Sequence, residues 1–549
     1  MKRTVFLLMA ALLMTVSAQA QVVLGDKHAM LKVEQGKKYV LLPVQETEDI
    51  AAIAVLNKHN EMVQRLNVKL AVDRVDYYVP YELKGACLLD IEFHGDRRQK
   101  GAVGEFVCWK DIKYSDTFDT TNREDFRPLY HHTPVYGWMN DPNGMFYKDG
   151  LWHLYFQWNP YGSQWENMHW GHSTSRDLIH WESQPMALEP DWLGSIFSGS
   201  CVTNGNEVVA LYTSAGHHQT QSMAISKDGG MTFEKYSGNP VLTGDVPDFR
   251  DPRPFWNEDI KAWNLILAAG QEMRIYSSKN LKEWKYESSF GKEYGNHGGV
   301  WECPDLFKID NKWVLICNIN PGGPFGGSAT QYFVGDFDGK KFTCESMPKV
   351  TKWLDYGKDH YATVSFYNAP DNRRVVLAWM SNWQYANQVP TKQYRSGNSI
   401  PRDLGLFTCG EETYVSVVPS KEMLAVRGAK VKKPTEACEI VVDVKSQAEI
   451  VLSNAKGEQV VMTYDGQKQT FSMDRMKSGD VSFSDAFPCV TEAPTYGQIK
   501  QLRLFIDRCS IEAFDAEGKM TMTNLVFPSE PYNIMKVKGG KANIYEIKN

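Results

Sequence analysis

Five short apolar runs, each centred on a leucine, recur through the middle of this chain at a nearly constant interval. They are Leu154 in WHLYFQWN, Leu211 in VVALYTSAG, Leu265 in AWNLILAAG, Leu315 in KWVLICNIN and Leu377 in RVVLAWMSN, spaced by 57, 54, 50 and 62 residues. Each run is short and bounded by Gly, Pro, Asn or Ser, so each reads as a buried strand. A second element follows in four of the units. It is Ser175-x-Asp177 before Trp181, Ser226-x-Asp228 before Phe233, Ser278-x-Asn280 before Trp284 and, more loosely, Asp336-x-Asp338 before Phe342. A polar turn leading into an aromatic is a hairpin signal. Several strands per unit, repeated five times at about fifty residues, predict a five-bladed β-propeller over residues 125–410. A row of β-sandwiches offers no reason for such a period.

A chain of 549 residues exceeds what one core supports, and both flanks read as separate β domains. Residues 22–120 alternate in KYVLLPV and CLLDIEFHG, which predicts a small N-terminal β domain, and the polar stretch 114–127 reads as a linker. From 415 to 549 alternation returns in EIVVDV, QLRLFID and SIEAFDAEG. There Leu502, Leu504 and Ile506 alternate with Arg503 and Asp507, as in a β-sandwich with one wet face. The expected fold is therefore all-β throughout.

The first twenty residues read as a signal peptide. Lys2 and Arg3 are followed by a twelve-residue apolar run, 5–16, broken only by Thr15, and by Ala18-Gln19-Ala20 as a cleavage site. A run of that length is too short to span a bilayer, so secretion without membrane insertion is expected. Without that segment the chain carries 58 Lys+Arg against 66 Asp+Glu, a net charge of −8. This argues against nucleic acid or an anionic membrane as partner. Ten cysteines are tolerable in an oxidising compartment but too sparse for a disulfide scaffold. His131-His132 and His217-His218 are read as loop histidines whose neighbouring side chains point opposite ways, not as metal ligands.

Polar clusters stand just upstream of the repeat leucines. Asp141 (WMNDPNG), Ser198 (FSGS) and Glu302 (WECPD) precede theirs by 13 residues and Asp251 (FRDPRP) by 14, whereas Asp359 (DYGKDHYA) fits less well at 18. On the innermost strands, equivalent positions in successive blades are related by rotation about one axis. Asp141, Asp251 and Glu302 are thereby predicted to converge on one pocket. Converging carboxylates suit either a hard cation or glycoside hydrolysis. Trp138, Trp158, Trp165, Trp301 and Trp379 beside the acids favour a sugar, and Arg250 disfavours a cation. Asp-Pro-Asn-Gly alone is also a good β-turn, and Arg-Asp-Pro a structural ion pair; the matched phase in four blades is what argues for a site.

These motifs, in this order, resemble glycoside hydrolase family 32, the invertases, inulinases, levanases and exo-fructosidases. Trp138 to Gly144, Gln157-Trp158, Phe197 to Ser200, Arg250-Asp251-Pro252 and Glu302-Cys303-Pro304 carry the resemblance. DYGKDHYA, Trp379 with Trp383, SIPRDLGL and SIEAFDAEG extend it over about residues 125–549. The resemblance implies a metal-free, cofactor-free retaining hydrolase releasing terminal fructose from fructans, fructooligosaccharides or sucrose. Asp141 would be the nucleophile, Glu302 the acid/base and Asp251 the transition-state stabiliser. Asn140, Gln157, Trp165, Phe197, Ser198, Arg250 and Trp379 would shape the fructose pocket, and Cys303 would be a packing neighbour. Residues 22–120 have no counterpart in the minimal family architecture. Similar extensions occur in fructan enzymes of Bacteroides-like bacteria, which implies a periplasmic setting. Alternatives are an endo-levanase or fructosyltransferase of the same fold, an inverting arabinan or xylan hydrolase, and, from another class, a silent fructan-binding protein.

Overall fold

The computed structural model describes residues 21–34, 36–95, 100–121 and 123–548, and the segment read as a signal peptide lies outside them. Strands dominate, and no described helix exceeds four residues or is long and apolar enough to cross a membrane. The chain divides into two compact units. One reaches to Thr120 and takes in Pro160–Gly162; the other comprises Thr121–Asn159 and everything from Ser163 onward.

The first unit holds a five-stranded antiparallel sheet and a three-stranded one, Tyr77–Glu82, Tyr39–Val44 and Lys113–Ser115. Leu31, Leu42, Ile53, Leu89, Ile91 and Trp109 fill the core between them. Lys113–Ser115 pairs with Tyr39–Val44, so the linker read over 114–127 begins inside a strand. Its far end is anchored too: Glu124 accepts the Lys392 N–H at 2.8 Å and Phe126 packs edge-on against Phe527.

In the second unit, five antiparallel sheets follow one another along the chain. Their first strands are Gly137–Lys148, Ser195–Asn204, Phe249–Asn257, Val300–Ile309 and Tyr361–Ser365. Each of these touches the next, and the fifth returns to the first, so they form a closed ring. Tyr394–Arg395 pairs in parallel with Gly137–Lys148 to tie the ends together. All five repeat leucines sit on the second strands, none more than 1% exposed, which is why the period was visible. The Ser-x-Asp elements turn the third strand into the fourth. Asp177, Asp228, Asn280 and Asp338 each accept two backbone N–H groups within the next four residues. The outer strand of the fifth blade is Glu412–Pro419, so the propeller runs past residue 410 into sequence read as sandwich.

The C-terminal sheets share two long strands, Cys438–Ser453 and Ile534–Ile547. The first half of Cys438–Ser453 pairs with Gln501–Asp507 and the second half with Gln459–Asp465, which bends the array into two layers over one core. The wet face expected along Gln501–Asp507 is absent. Phe505 and Phe514 pack against blade residues Phe307, Val314 and Val417, and Ser510–Asp515 is buried throughout. Asp507 is polar but not solvated: it accepts the Leu129 N–H at 2.8 Å and bonds His131 Nδ1 at 2.7 Å. This shared core explains why propeller and sandwich form one compact unit.

All four paired histidines lie in loops, as read, but the surroundings of the first pair and the directions of the second differ from that reading. His131 is buried between Asp507 and Glu512, each 2.7 Å from a ring nitrogen, and His132 lies between Asn398 and Ser173. His217 and His218 do not point apart; a bend stacks their rings at 4.4 Å.

Buried histidines make this fold sensitive to pH. Burial holds His132, His153 and His169 down to about 4, and His172 and His360 to about 3. The folded state thus stays neutral where an unfolded histidine, ordinarily near 6.5, takes a proton. Stability falls as pH drops below about 6.5, by about 1.4 kcal/mol per pH unit for each such group until its folded pKa is reached. His131 has the opposite sign. Burial alone would depress it, but its two carboxylates raise it to about 9, so its contribution is complete below 6.5 and lost as pH rises through 9. Urea midpoints measured across this range are expected to peak between these limits and to fall steeply on the acid side.

Candidate active site

All five first strands carry a β-bulge at the same level. The register breaks between Phe156 and Trp158 opposite residues 139–142, and between Ile196/Gly199, Arg250/Arg253, Glu302/Asp305 and Tyr361/Val364. A bulge leaves a residue out of the ladder and re-aims side chains. This accounts for the Asp-Pro and Cys-Pro pairs: Pro142, Pro252 and Pro304 occupy inner strands because a bulge asks no ladder N–H of them. Asp-Pro-Asn-Gly is accordingly no turn but part of Gly137–Lys148. Asp251, Cys303 and Ala362 sit at φ of 67°, 43° and 54°, left-handed backbone that the surrounding sheet enforces. Glycine is required beside two of the bulges. A Cβ at Gly199 would stand 2.1 Å from the Leu211 carbonyl oxygen, and one at Gly144 2.6 Å from the Tyr155 ring.

The bulges bring the predicted acids into one hydrogen-bonded group. Asp141 accepts the Ser198 hydroxyl at 2.7 Å and the Asn140 amide at 3.0 Å, and Asn140 is itself held by Trp138 Nε1 at 2.8 Å. The Cys303 thiol reaches Asp141 at 3.4 Å while its backbone N–H reaches Asp251 at 2.8 Å. Arg250 Nη2 lies 2.8 Å from Glu302 Oε1, and its Nη1 reaches Asp248 and Gln219 at 2.6 and 3.1 Å. The Tyr361 hydroxyl donates to the other Glu302 oxygen. Side chains from blades 1, 3 and 4 thus meet, with blades 2 and 5 supplying Ser198 and Tyr361.

Burial drives the Asp251 carboxyl up to about 7; Arg250 opposes this and Glu302 adds to it. Burial opposes the charge on Arg250, yet Glu302 and Asp251 hold it above its usual value. Burial also pushes the Cys303 thiol and the Tyr361 phenol well up, so both remain protonated donors, the thiol toward Asp141 and the phenol toward Glu302. Gln157 lies opposite the first bulge; its amide nitrogen and Trp379 Nε1 are buried with no hydrogen-bond partner among the described residues. Trp165 is 40% exposed and meets the half-buried Phe197 edge-on at 6.0 Å. Among the described residues, no group of His, Cys, Asp and Glu side chains is set to hold a metal ion.

Residues 131–417 match the model of the glycosyl hydrolases family 32 N-terminal domain, and residues 413–548 that of the family 32 C terminal. The chain belongs to glycosyl hydrolase family 32. A levanase of Bacillus subtilis is 44% identical over 74% of this chain and 67% of its own length. An extracellular exo-inulinase of Aspergillus ficuum is 37% identical over 74% of this chain and 90% of its own. The crystal structure of exo-inulinase from Aspergillus awamori, 33% identical, covers 79% of this chain and 100% of its own with a TM-score of 0.72. Residues 25–130 of this family 32 glycoside hydrolase match instead a domain family of unknown function.

Not every residue singled out lies in the site. Asp359 is buried in an ion pair with Arg475 of the sandwich and also accepts the Tyr385 hydroxyl. Trp301 is wholly buried in the core between blades 3 and 4, with its Nε1 bonded to Asn296 O. Trp158 packs on Tyr136, and Trp138 stacks on the partly buried Trp383; Trp379 joins that cluster with its Nε1 left unpartnered among the described residues. The sequence reading missed Tyr361, which the DYGKDHYA motif contains, because the offset in that motif was counted only to the acid two positions earlier, Asp359. Asp248, Gln219 and Thr213 were missed as well. Thr213 Oγ1 accepts the Asp251 N–H at 2.9 Å and fixes the third bulge.

Proposed function

We propose that this enzyme releases terminal fructose from fructans such as levan and inulin, and from sucrose, with retention of configuration. The observation that carries this reading is the meeting of Asp141, Asp251 and Glu302 around one mouth, linked by Cys303 and Arg250. Relatives named levanase and exo-inulinase support the substrate class. Asp141 attacks C2 of the terminal fructose while Glu302 gives its proton to the leaving glycosidic oxygen; the C2–oxygen bond breaks as an ester to Asp141 forms. A water then loses a proton to Glu302, its oxygen bonds C2, and Asp141 departs as carboxylate. Such a pair works at a carboxyl separation of about 5–5.5 Å.

Asp251, poised near neutrality, can both donate to and accept from sugar hydroxyls, and Asn140, Ser198, Arg250, Trp165 and Phe197 complete the pocket. The unpartnered N–H groups of Gln157 and Trp379 supply two more donors. Export to the periplasm is proposed from the N-terminal segment and from relatives named extracellular. The ten cysteines stand as free thiols. Chromatography after incubation with levan, inulin and sucrose tests the reading. Fructose is expected as the dominant product from each polymer. A ladder of oligosaccharides would replace exo by endo action, and longer products would indicate transfer.

A further inference from the structure

An exo-acting pocket holds one fructose, and the remainder of a fructan must leave through the mouth, so the rim decides how chain length is read. At the rim, the connection into blade 2 presents Trp192 at 84% exposure, far beyond any other tryptophan. It is held out by a built turn. Asp191 and Gly194 exchange backbone hydrogen bonds of 3.3 and 3.0 Å. The Asp191 carboxylate accepts the Leu193 N–H at 2.8 Å and the Lys235 ammonium at 2.7 Å.

This turn stands at the catalytic end of the blade. Ser198, which hydrogen-bonds Asp141, follows Trp192 by six residues on the same run of chain. A Cβ on Gly194 would sit 2.4 Å from the Gly216 nitrogen, so the turn is pressed against the bend that carries the stacked, exposed His217 and His218. The next residue, Gln219, accepts a hydrogen bond from Arg250 at 3.1 Å. Two chain segments thus run from side chains that bond Asp141 and Arg250 to exposed rings, Trp192 on one and His217–His218 on the other. A pinned, solvent-facing indole has no packing role to fill, whereas its flat face suits the C–H surface of a sugar ring.

We infer that Trp192 is a specificity-determining platform for the second and later sugar units of an oligomeric fructan, with the His217–His218 stack beside it. This rests on the fructan reading above and assigns the direction in which the leaving chain exits, over blade 2. Fructooligosaccharides of increasing length should gain kcat/KM relative to sucrose, and Trp192 should supply much of that gain through KM.

The test uses the full-length enzyme and its Trp192→Ala and Trp192→Phe variants, with sucrose and a series of inulin- and levan-type oligosaccharides. For Trp192→Ala, the ratio of kcat/KM on the longest oligosaccharide to that on sucrose is expected to fall about tenfold, chiefly through KM. Trp192→Phe should keep most of the ratio, since a flat ring remains. A Trp192→Ala ratio equal to wild type would overturn the inference, as would a ratio lowered through kcat alone. If the wild-type enzyme releases no fructose from any substrate, the fructan reading falls first. That outcome is distinct from active enzymes with unchanged ratios.

Discussion

Asp141→Ala is expected to lower kcat for fructose release by a factor on the order of 10⁴ to 10⁶, about 5.5–8 kcal/mol of barrier. The magnitude follows from the role. Without Asp141 no ester to C2 can form, and the remaining groups can only bind substrate and protonate the leaving oxygen. The loss should lie almost wholly in kcat, because Ser198, Asn140 and Cys303, which now bond the carboxylate, stay in place to form the pocket. Asp141→Asn sharpens the test. It preserves shape while removing the charge and turning one of two acceptor oxygens into a donor, so a loss of similar size shows that the nucleophilic carboxylate, not packing, was removed. It also takes away one of the charges that raise the Asp251 carboxyl, whose pKa should fall below about 7. Initial-rate measurements on sucrose and levan, with folding checked by circular dichroism, decide the matter. Fructose release at wild-type rates would remove Asp141 from the mechanism.

The sequence carried the propeller because its signal is one of packing. A leucine on the second strand of every blade is buried whatever the loops do, so the period survives divergence elsewhere. The acids were legible for a related reason: Asp141, Asp251 and Glu302 keep a near-constant offset from those leucines, and the ring of first strands converts equal offset into proximity. What stayed hidden depends on backbone that no side-chain pattern encodes. Left-handed φ at Cys303 and Ala362 is disfavoured by those residue types and arises only where the neighbouring strands impose it. Tyr361 was therefore not singled out, and Asp359 in the same motif was noted only as a looser match in phase. A carboxylate looks catalytic in a string of letters, and only the fold reveals that Arg475 is waiting for it. The wet face read along Gln501–Asp507 failed because alternation reports that two faces differ, not that one meets water. Arg503 and Asp507 stand on the side that packs toward the propeller, where buried ions replace solvent.

Arg402→Ala is expected to destabilise the propeller–sandwich unit by about 3–5 kcal/mol while leaving the catalytic group assembled. Arg402 is fully buried and bridges two domains: one guanidinium nitrogen lies 2.7 Å from Asp355 of the propeller and another bonds Glu512 of the sandwich. Glu512 in turn holds His131 at 2.7 Å, and His131 holds Asp507. Removing the arginine takes the bridging cation from two interior carboxylates. Asp355 keeps only neutral donors such as Thr523, and Glu512 keeps the His131 imidazolium, which it shares with Asp507. Lysine cannot replace it, because one ammonium does not reach two carboxylates held apart by a planar fork. Thermal unfolding should begin several degrees earlier, with the specific activity of the folded enzyme preserved at lower temperature. An unaltered melting temperature would show that the cluster contributes nothing. The three motifs that supply these residues, DYGKDHYA, SIPRDLGL and SIEAFDAEG, belonged to the family resemblance alongside the catalytic ones. Their chemistry is of another kind: they weld the sandwich to the blades whose inner strands aim the acids.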